Sequence, residues 1–306
     1  MNCARLLFDK FFCVHFRKVD KFLRTGMASL FGPFNQRMII DFICIISVGV
    51  ALLVFELFGT PFKSGFYCSD TSIRYPYYES TVSTGVLAIV ALLFPVLIMM
   101  VCEGVYLFES STPRDSWNSI SLRLASLCYH FCGLFIFGAG LCQMTVTIAK
   151  YTVGRLRPHF FAVCQPSVNC NTRDPYDYVT DYLCTAAGSD DKTLDARLSF
   201  PSGHASMAFY SATYTVLYLQ KRMPWRVSVV ISHLIQALLI FGAWFTALTR
   251  IQNNMHHWGD VLVGLIIGIF WAIFFVKFVV NLHLTASSES ETSIHRSSRD
   301  TSNVAV

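Results

Sequence analysis

Three short polar segments in this chain carry residue types that bind and transfer phosphate. They span residues 150–158, 201–204 and 250–260, and between them they hold cations, histidines, a hydroxyl and a carboxylate. A charged side chain at the centre of a bilayer costs at least ~2.5–3.5 kcal/mol, so such residues beside membrane spans usually have a function or lie at the water boundary. These segments are therefore the candidate site of the chain.

The predicted phosphate-binding groups combine fixed positive charge with short polar donors. The transition state of phosphate transfer spreads negative charge over three oxygens, so catalysis depends mainly on positioning and electrostatic stabilisation. Arg157 and Arg250 each offer a planar fork of donors, and Lys150 adds a point charge. Ser202 offers a hydroxyl, and Gly203 allows close approach of an anion to a backbone N–H at a helix start.

The predicted reacting groups are two histidines and a carboxylate. Asp260 lies four residues after His256, so the two would share a face of a helix. A carboxylate bonded to one ring nitrogen fixes the tautomer and leaves the other nitrogen free to attack. We predict that His256 is the nucleophile, that Asp260 orients it, and that His204 protonates the leaving alkoxide and then activates water. His257, three residues before Asp260, remains an alternative nucleophile.

Apolar stretches must position these segments. The chain has 306 residues, of which 54% are hydrophobic and 14% charged, whereas soluble domains carry roughly 25% charged residues. A membrane-crossing helix needs ~20 apolar residues, and six stretches approach that length: 38–58, 82–106, 122–148, 203–219, 226–248 and 261–283. We therefore predict an all-α integral membrane protein with six transmembrane helices. The stretch 203–219 is the most polar, which is typical of a helix packed inside a bundle.

Basic residues predict the orientation of these spans. The arm before the first span and the loops after the second and fourth spans are basic, which favours the cytoplasm. The N- and C-termini are then both cytoplasmic. All three polar segments fall on the opposite face, toward the outside or an organelle lumen. Each segment alone has a structural explanation, such as an interfacial charge cluster or an exposed histidine. Their combination on one face favours catalysis.

The predicted domain organisation is a single membrane domain between two tails. Residues 1–37 form a basic cytoplasmic arm, either unstructured or helical on the membrane surface. Residues 38–283 form the six-span domain, and residues 284–306 form a disordered, Ser/Thr-rich cytoplasmic tail. The tail ends in Val304-Ala305-Val306, which makes a PDZ domain a candidate partner. A homo-oligomer is a further candidate assembly.

The net charge of +5 is modest and does not indicate a nucleic-acid partner. The cysteines on the predicted outer face lack zinc-site spacing, so no metal site is predicted. Four cysteines there allow three disulfide pairings, of which a close Cys164–Cys170 bridge is one. The cysteines concerned are Cys68, Cys164, Cys170 and Cys184.

The three segments together resemble the signature of the type 2 phosphatidic acid phosphatase superfamily. That signature is Lys-x6-Arg-Pro, then Pro-Ser-Gly-His, then Ser-Arg-x5-His-x3-Asp, and here it covers Lys150 to Pro158, Pro201 to His204, and Thr249 to Asp260. The segments 154–160, 65–68 and 256–258 are similar to the animal lipid phosphate phosphatase branch. The resemblance extends over 38–283. Two features depart from it: Thr249 replaces the usual serine, and the usual glycosylation sequon is missing.

The resemblance implies six spans with cytoplasmic ends and a phosphohistidine mechanism that needs neither metal nor cofactor. It implies lipid phosphate substrates such as phosphatidate, lysophosphatidate, sphingosine 1-phosphate and ceramide 1-phosphate, and a place in the plasma membrane or an endomembrane. The matching positions carry the roles given above. Alternative hypotheses are an inactive relative acting as a scaffold, an anion transporter, and an enzyme for a soluble phosphate ester or for headgroup transfer. An inactive relative should lack one of the histidines or arginines, and all are present.

Overall fold

The computed structural model describes residues 33–111, 116–186, 190–222 and 229–279. Most of the predicted N-terminal arm, all of the C-terminal tail and its PDZ motif lie outside the described residues. The chain divides into two compact units, residues 1–50 and 51–306. The three polar segments all belong to the second unit.

The described chain is mostly helical, with a small sheet between helices. In order, the elements are α1 (Pro33–Phe58), β1 (Phe66–Tyr67), a 3-10 turn (Thr71–Ile73), α2 (Thr84–Ala88), a π-helical turn (Ile89–Leu93), α3 (Phe94–Ser110), α4 (Trp117–Val153), α5 (Phe160–Cys164), β2 (Tyr178–Val179), α6 (Asp190–Asp195), α7 (Gly203–Arg222), α8 (Val229–Gln252), α9 (Trp258–Phe274) and a second π-helical turn (Phe275–Val279).

Five helical stretches are long and apolar enough to cross a membrane: Met38–Phe58, Thr84–Phe108, Ile120–Val153, Val230–Gln252 and Trp258–Val279. The protein is therefore a multi-pass membrane protein. The predicted stretch at 203–219 forms α7, which is helical but too polar to count among these five. The third stretch is longer than predicted, since α4 runs for 37 residues, or ~55 Å at 1.5 Å per residue.

The polar character of α7 follows from its burial against α4, α8 and α9. Its tyrosine hydroxyls reach groups on other helices: Tyr210 donates to the carbonyl of Phe135 at 2.8 Å, and Tyr218 donates to Glu103 at 2.6 Å. Thr215 donates to the carbonyl of Ser211 in its own helix at 2.7 Å. These hydroxyls therefore have partners inside the protein, as a helix packed within a bundle requires.

Two glycines of α9 allow it to approach α7 closely. A Cβ at Gly264 would overlap the carbonyl oxygen of Ser202, and a Cβ at Gly268 would lie 2.8 Å from the backbone nitrogen of Tyr210. Small residues four apart on one helix face permit such close helix packing. The packing sets the position of Ser202, at the start of α7, relative to α9.

Gly264→Ala is therefore expected to destabilise the protein by about 1–3 kcal/mol, the usual cost of overpacking. It is also expected to lower activity, because the overlapping atom belongs to the backbone of the candidate site. Thermal unfolding in detergent and phosphate release measure the two effects. Gly242→Ala is the matched control, since a Cβ there meets nothing within 4 Å. Equal melting temperatures for the two variants would contradict this account of the α7–α9 contact.

A small folded region covers the connections between α1 and α2 and between α4 and α7. Antiparallel β1 and β2 join the two connections. An apolar core separate from that of the long helices forms around Phe66, Phe160 and Tyr182. This strand pairing corrects the all-α prediction. The strands were not predicted because two residues are too few to leave a periodic pattern in the sequence. Disulfides link Cys68 to Cys170 and Cys164 to Cys184. The Cys164–Cys170 bridge considered from the sequence is therefore wrong.

Candidate active site

The first polar segment begins in the last turn of α4, which contains Lys150. The helix ends where Gly154 adopts φ 59° and donates its N–H to the carbonyl of Lys150 at 3.0 Å. A residue with a side chain would be strained in this left-handed conformation, and its Cβ would also overlap the carbonyl of Phe62. Gly154 thus turns the chain so that Arg155 and Arg157 follow directly after the helix.

The second segment caps α7. Ser202 is fully buried, its N–H donates to the carbonyl of Asp260 at 3.0 Å, and its hydroxyl accepts from the N–H of Ala205 at 3.4 Å. The hydroxyl that we predicted to bind phosphate therefore also has a capping role. Gly203 faces Val146 and Gln143 of α4, and a Cβ there would make only ordinary contacts at 3.7–3.9 Å.

His204 lies in the first turn of α7. Its ring lies close to the backbone of Val82, and Arg250, Lys150 and Arg157 lie close enough to act on its charge. Its Nε2 is buried and has no hydrogen-bond partner among the residues that the structure describes. The predicted acid–base histidine is therefore surrounded by the predicted phosphate-binding cations.

The third segment forms the turn between α8 and α9. The N–H groups of Met255 and His256 both donate to the carbonyl of Arg250, at 3.0 and 3.3 Å. His257 is the N-cap of α9, where its backbone N–H donates to Asp260 Oδ2 at 3.1 Å in a capping box. Three of the predicted site residues in this segment are almost completely buried: Arg250, His256 and Asp260.

The predicted contact between His256 and Asp260 is replaced by another one. Helix α9 begins at Trp258, after His256, so the four-residue spacing does not place the two side chains on one helix. Instead, His256 Nδ1 lies 2.6 Å from the carbonyl oxygen of Ser199. A carbonyl only accepts hydrogen bonds, so Nδ1 carries the proton and Nε2 holds the free lone pair. One ring nitrogen is therefore held and the other is free, but the partner is a backbone carbonyl rather than Asp260.

Burial holds the pKa of His256 well below its ordinary value, and the nearby charges of Arg157 and Lys150 lower it further. Both effects disfavour a cationic ring. The imidazole is therefore neutral at neutral pH, which a nitrogen nucleophile requires.

Asp260 is fully buried and connects several site residues. Its Oδ1 pairs with Arg155 at 2.5 Å, while Oδ2 accepts from the Ser199 hydroxyl at 2.6 Å and lies 3.2 Å from His257 Nδ1. Asp260, which lies in the third segment, is thus bonded to Arg155 of the first segment and to Ser199, which precedes the second.

The two arginines are held differently. Arg157 Nη2 pairs with Asp195 at 2.5 Å and Nη1 lies 3.3 Å from Met255 Sδ, whereas its buried Nε has no partner in the described parts of the chain. Arg250 donates to the hydroxyl of Ser80 at 3.2 Å and to that of Thr249 at 3.2–3.4 Å. Thr249 therefore supplies a hydroxyl where the superfamily signature has serine.

The structure brings the three polar segments together, as predicted, through Arg155–Asp260, Arg157–Met255 and Ser202–Asp260. Sequence reasoning gave no role to Arg155, Asp195 or Ser199. Arg155 lies inside a segment already singled out, and its charge beside Arg157 was a usable signal. Nothing about the type or spacing of Ser199 marks it, because it acts through a contact that only the tertiary fold creates.

Comparisons with known proteins show which family the chain resembles. A protein-family model described as "PAP2 superfamily" matches residues 131–284 of this chain. The chain is 38% identical to a putative phosphatidate phosphatase of Drosophila melanogaster, over 81% of this chain and 70% of that protein. It is 34% identical to phospholipid phosphatase 1 of Rattus norvegicus, over 83% and 88% of the two chains. It is 35% identical to phospholipid phosphatase 2 of Mus musculus, over 79% and 85%. No solved structure matches significantly.

Proposed function

The chain belongs to the PAP2 superfamily, and we propose that it removes phosphate from lipid phosphate monoesters through a phosphohistidine intermediate. The observation that carries this proposal is the convergence of the three polar segments around His256. The ring is buried beside Arg157 and Lys150, with His204 also close. Family membership and the named relatives support a membrane phosphatase, and the chemistry of each step is inferred from the site.

In the proposed first step, His256 Nε2 attacks phosphorus and the bond from phosphorus to the lipid oxygen breaks. His204 gives its proton to the leaving alkoxide. The bound phosphate supplies the negative charge that stabilises protonated His204 among the neighbouring cations. His256 keeps its Nδ1 proton, which stays hydrogen-bonded to the carbonyl of Ser199. The phosphorylated ring is therefore a cation held by a fixed acceptor.

In the second step, His204 takes a proton from water as the water oxygen attacks phosphorus. The bond between phosphorus and nitrogen breaks, which releases inorganic phosphate and restores neutral His256. Arg157, Arg250 and Lys150 stabilise the charge on the phosphoryl oxygens in both steps. We propose that these three cations replace a divalent ion, and that Ser202 and Gly203 supply further donors. Arg157 must exchange Asp195 for phosphate to take part fully.

An apolar groove supports a lipid as the substrate. It has a volume of about 350 Å³ and is lined by Ala88, Ile89, Leu92, Leu93, Val96 and Ile136. The lining begins six residues after Val82, whose backbone contacts His204. From there the lining follows the helical stretch Thr84–Phe108 as far as Val96. This direction suits an acyl chain whose phosphate lies at the histidines.

We further propose that α7 is a sixth span, that both chain termini are cytoplasmic, and that the site faces the outside or a lumen. Basic segments on the cytoplasmic side support this orientation. A substrate would then enter sideways from the outer leaflet. The plasma membrane is the proposed location.

The deciding experiment assays purified protein in detergent, with EDTA, against phosphatidate, lysophosphatidate, sphingosine 1-phosphate and ceramide 1-phosphate. We expect phosphate release from at least one of them, undiminished by EDTA, because three side-chain cations neutralise the phosphate. A requirement for magnesium would refute the metal-independent chemistry. Release from soluble esters alone would favour that alternative substrate class, and no release would favour the inactive scaffold.

Intact cells test the orientation. Cells displaying the protein on their surface are expected to hydrolyse added lysophosphatidate in the presence of EDTA, whereas cells displaying His256→Ala are not. Surface-labelled protein that acts only after permeabilisation would place the site on the cytoplasmic face and contradict the topology.

A further inference from the structure

Ser199 is hydrogen-bonded to the first and third polar segments and lies two residues before the second. Its hydroxyl donates to Asp260 Oδ2 at 2.6 Å, and its N–H donates to the carbonyl of Arg155 at 3.0 Å. Its own carbonyl lies 2.6 Å from His256 Nδ1. The residue is fully buried. Both the side chain and the backbone of Ser199 are therefore fixed by hydrogen bonds.

These contacts decide how Asp260 can influence His256. One carboxylate oxygen of Asp260 pairs with Arg155, and the other is shared between the Ser199 hydroxyl and His257. His256 Nδ1 is held by a backbone carbonyl. The hydrogen-bonded route from the Asp260 carboxylate to the His256 ring therefore runs through Ser199, while Asp260 also holds the backbone beside His256 through the His257 N–H.

We propose that Ser199 is a positioning residue for the reaction: its carbonyl orients His256, and Asp260 acts on His256 by anchoring the Ser199 hydroxyl. Removing the hydroxyl leaves the carbonyl in the chain but frees the peptide to rotate. The His256 ring then loses the fixed direction in which Nε2 meets phosphorus. This inference rests on the proposed function, because it takes His256 as the attacking group.

The test is a double-mutant cycle with Ser199→Ala and Asp260→Asn, read out as the single-turnover rate of phosphoenzyme formation from ³²P-labelled lysophosphatidate. A hydrogen bond to a charged group contributes roughly enough for a ten- to hundredfold change in rate. We expect Ser199→Ala to slow phosphoenzyme formation by about that factor, with KM changed less than about threefold because no phosphate contact is removed.

The coupling energy between Ser199→Ala and Asp260→Asn distinguishes a positioning role of Ser199 from a general loss of stability. If Asp260 works through Ser199, Asp260→Asn should slow the Ser199→Ala enzyme by much less than it slows the wild type. Ser199→Thr, which keeps the hydroxyl, should recover most of the rate. Additive losses, or a Ser199→Ala rate equal to that of the wild type, would overturn the inference.

Ser211→Ala is the matched control, since Ser211 is also a buried hydroxyl but lies farther along α7. It should form phosphoenzyme at the wild-type rate. If Ser199→Ala does not purify as a monodisperse protein, Ser199→Cys replaces it under the same criteria, because a thiol of similar size is a weak donor. A wild-type protein that forms no phosphoenzyme would refute the proposed function itself. Normal formation in the wild type together with normal formation in Ser199→Ala would refute only the role of Ser199.

Discussion

His256→Ala is expected to abolish turnover, with a loss of about 10⁴-fold or more in kcat, because removing the proposed nucleophile leaves only binding and electrostatic stabilisation. The ring is buried, neutral and held at Nδ1, which leaves Nε2 as the proposed attacking atom. Trapping with ³²P-labelled lipid phosphate should give an acid-labile phosphoenzyme in the wild type and none in this variant.

His257→Ala is the matched control for this prediction. His257 is the N-cap of α9, and its Nδ1 faces Asp260 rather than the ring of His256. Its loss should weaken the cap and lower activity modestly, while phosphoenzyme formation survives. Survival of activity in His256→Ala, with full loss in His257→Ala, would show that the nucleophile is the neighbouring histidine.

The pH dependence of phosphoenzyme formation should follow the lowered pKa of His256. The folded-state pKa lies below the ordinary histidine value of ~6.5, so the ring stays neutral, and able to attack, as the pH falls through that value. The acidic limb assigned to His256 should therefore lie below pH ~6.5. A limb above that pH in a single-turnover experiment would contradict the described environment.

Breaking the buried ion pair between Glu103 and Arg222 is expected to cause the largest loss of stability. Arg222 Nε and Nη2 contact the two carboxylate oxygens of Glu103 at 2.8 and 2.9 Å, and Tyr218 also donates to Glu103. Removing one partner leaves the other charged and buried, which typically costs 3–5 kcal/mol. Glu103→Ala and Arg222→Ala should each lower the melting temperature strongly in detergent.

The double variant Glu103→Leu/Arg222→Met separates charge from packing. Because it leaves no unpaired charge, it should be more stable than either single alanine variant. Arg123→Ala is the control, since Arg123 is an exposed arginine on α4. A double variant less stable than both single variants would show that the ion pair itself stabilises the bundle.

Some features of the fold were predictable from local sequence because they depend on composition. Strongly apolar stretches gave five of the helices that can cross a membrane. Their ends were predicted less well: α4 continues through Lys150, since a lysine is compatible with a last helical turn. The disulfide pairing depends on which loops meet, and four cysteines in sequence cannot decide it.

The sequence predicted that the three polar segments would meet, but it did not predict the contacts between them correctly. The three segments meet as their complementary chemistry indicated. The proposed His256–Asp260 pair failed because the spacing argument assumed a continuous helix, whereas the chain turns at Asn254 with φ 54° before α9 begins. The partner that His256 has instead is a backbone carbonyl, and any residue type can supply one.

The buried polar character of α7 has a consequence for biosynthesis. If α7 crosses the membrane, it does so without the apolarity that lets a helix enter the bilayer alone. It has to partition together with its neighbours, of which α4 emerges earlier from the ribosome and α8 and α9 emerge later. Nascent chains that stop before α9 should leave α7, which begins at the candidate active site, outside the lipid. A premature stop codon within α9 should then cause degradation of the chain as an incompletely inserted membrane protein, rather than accumulation of a shortened enzyme.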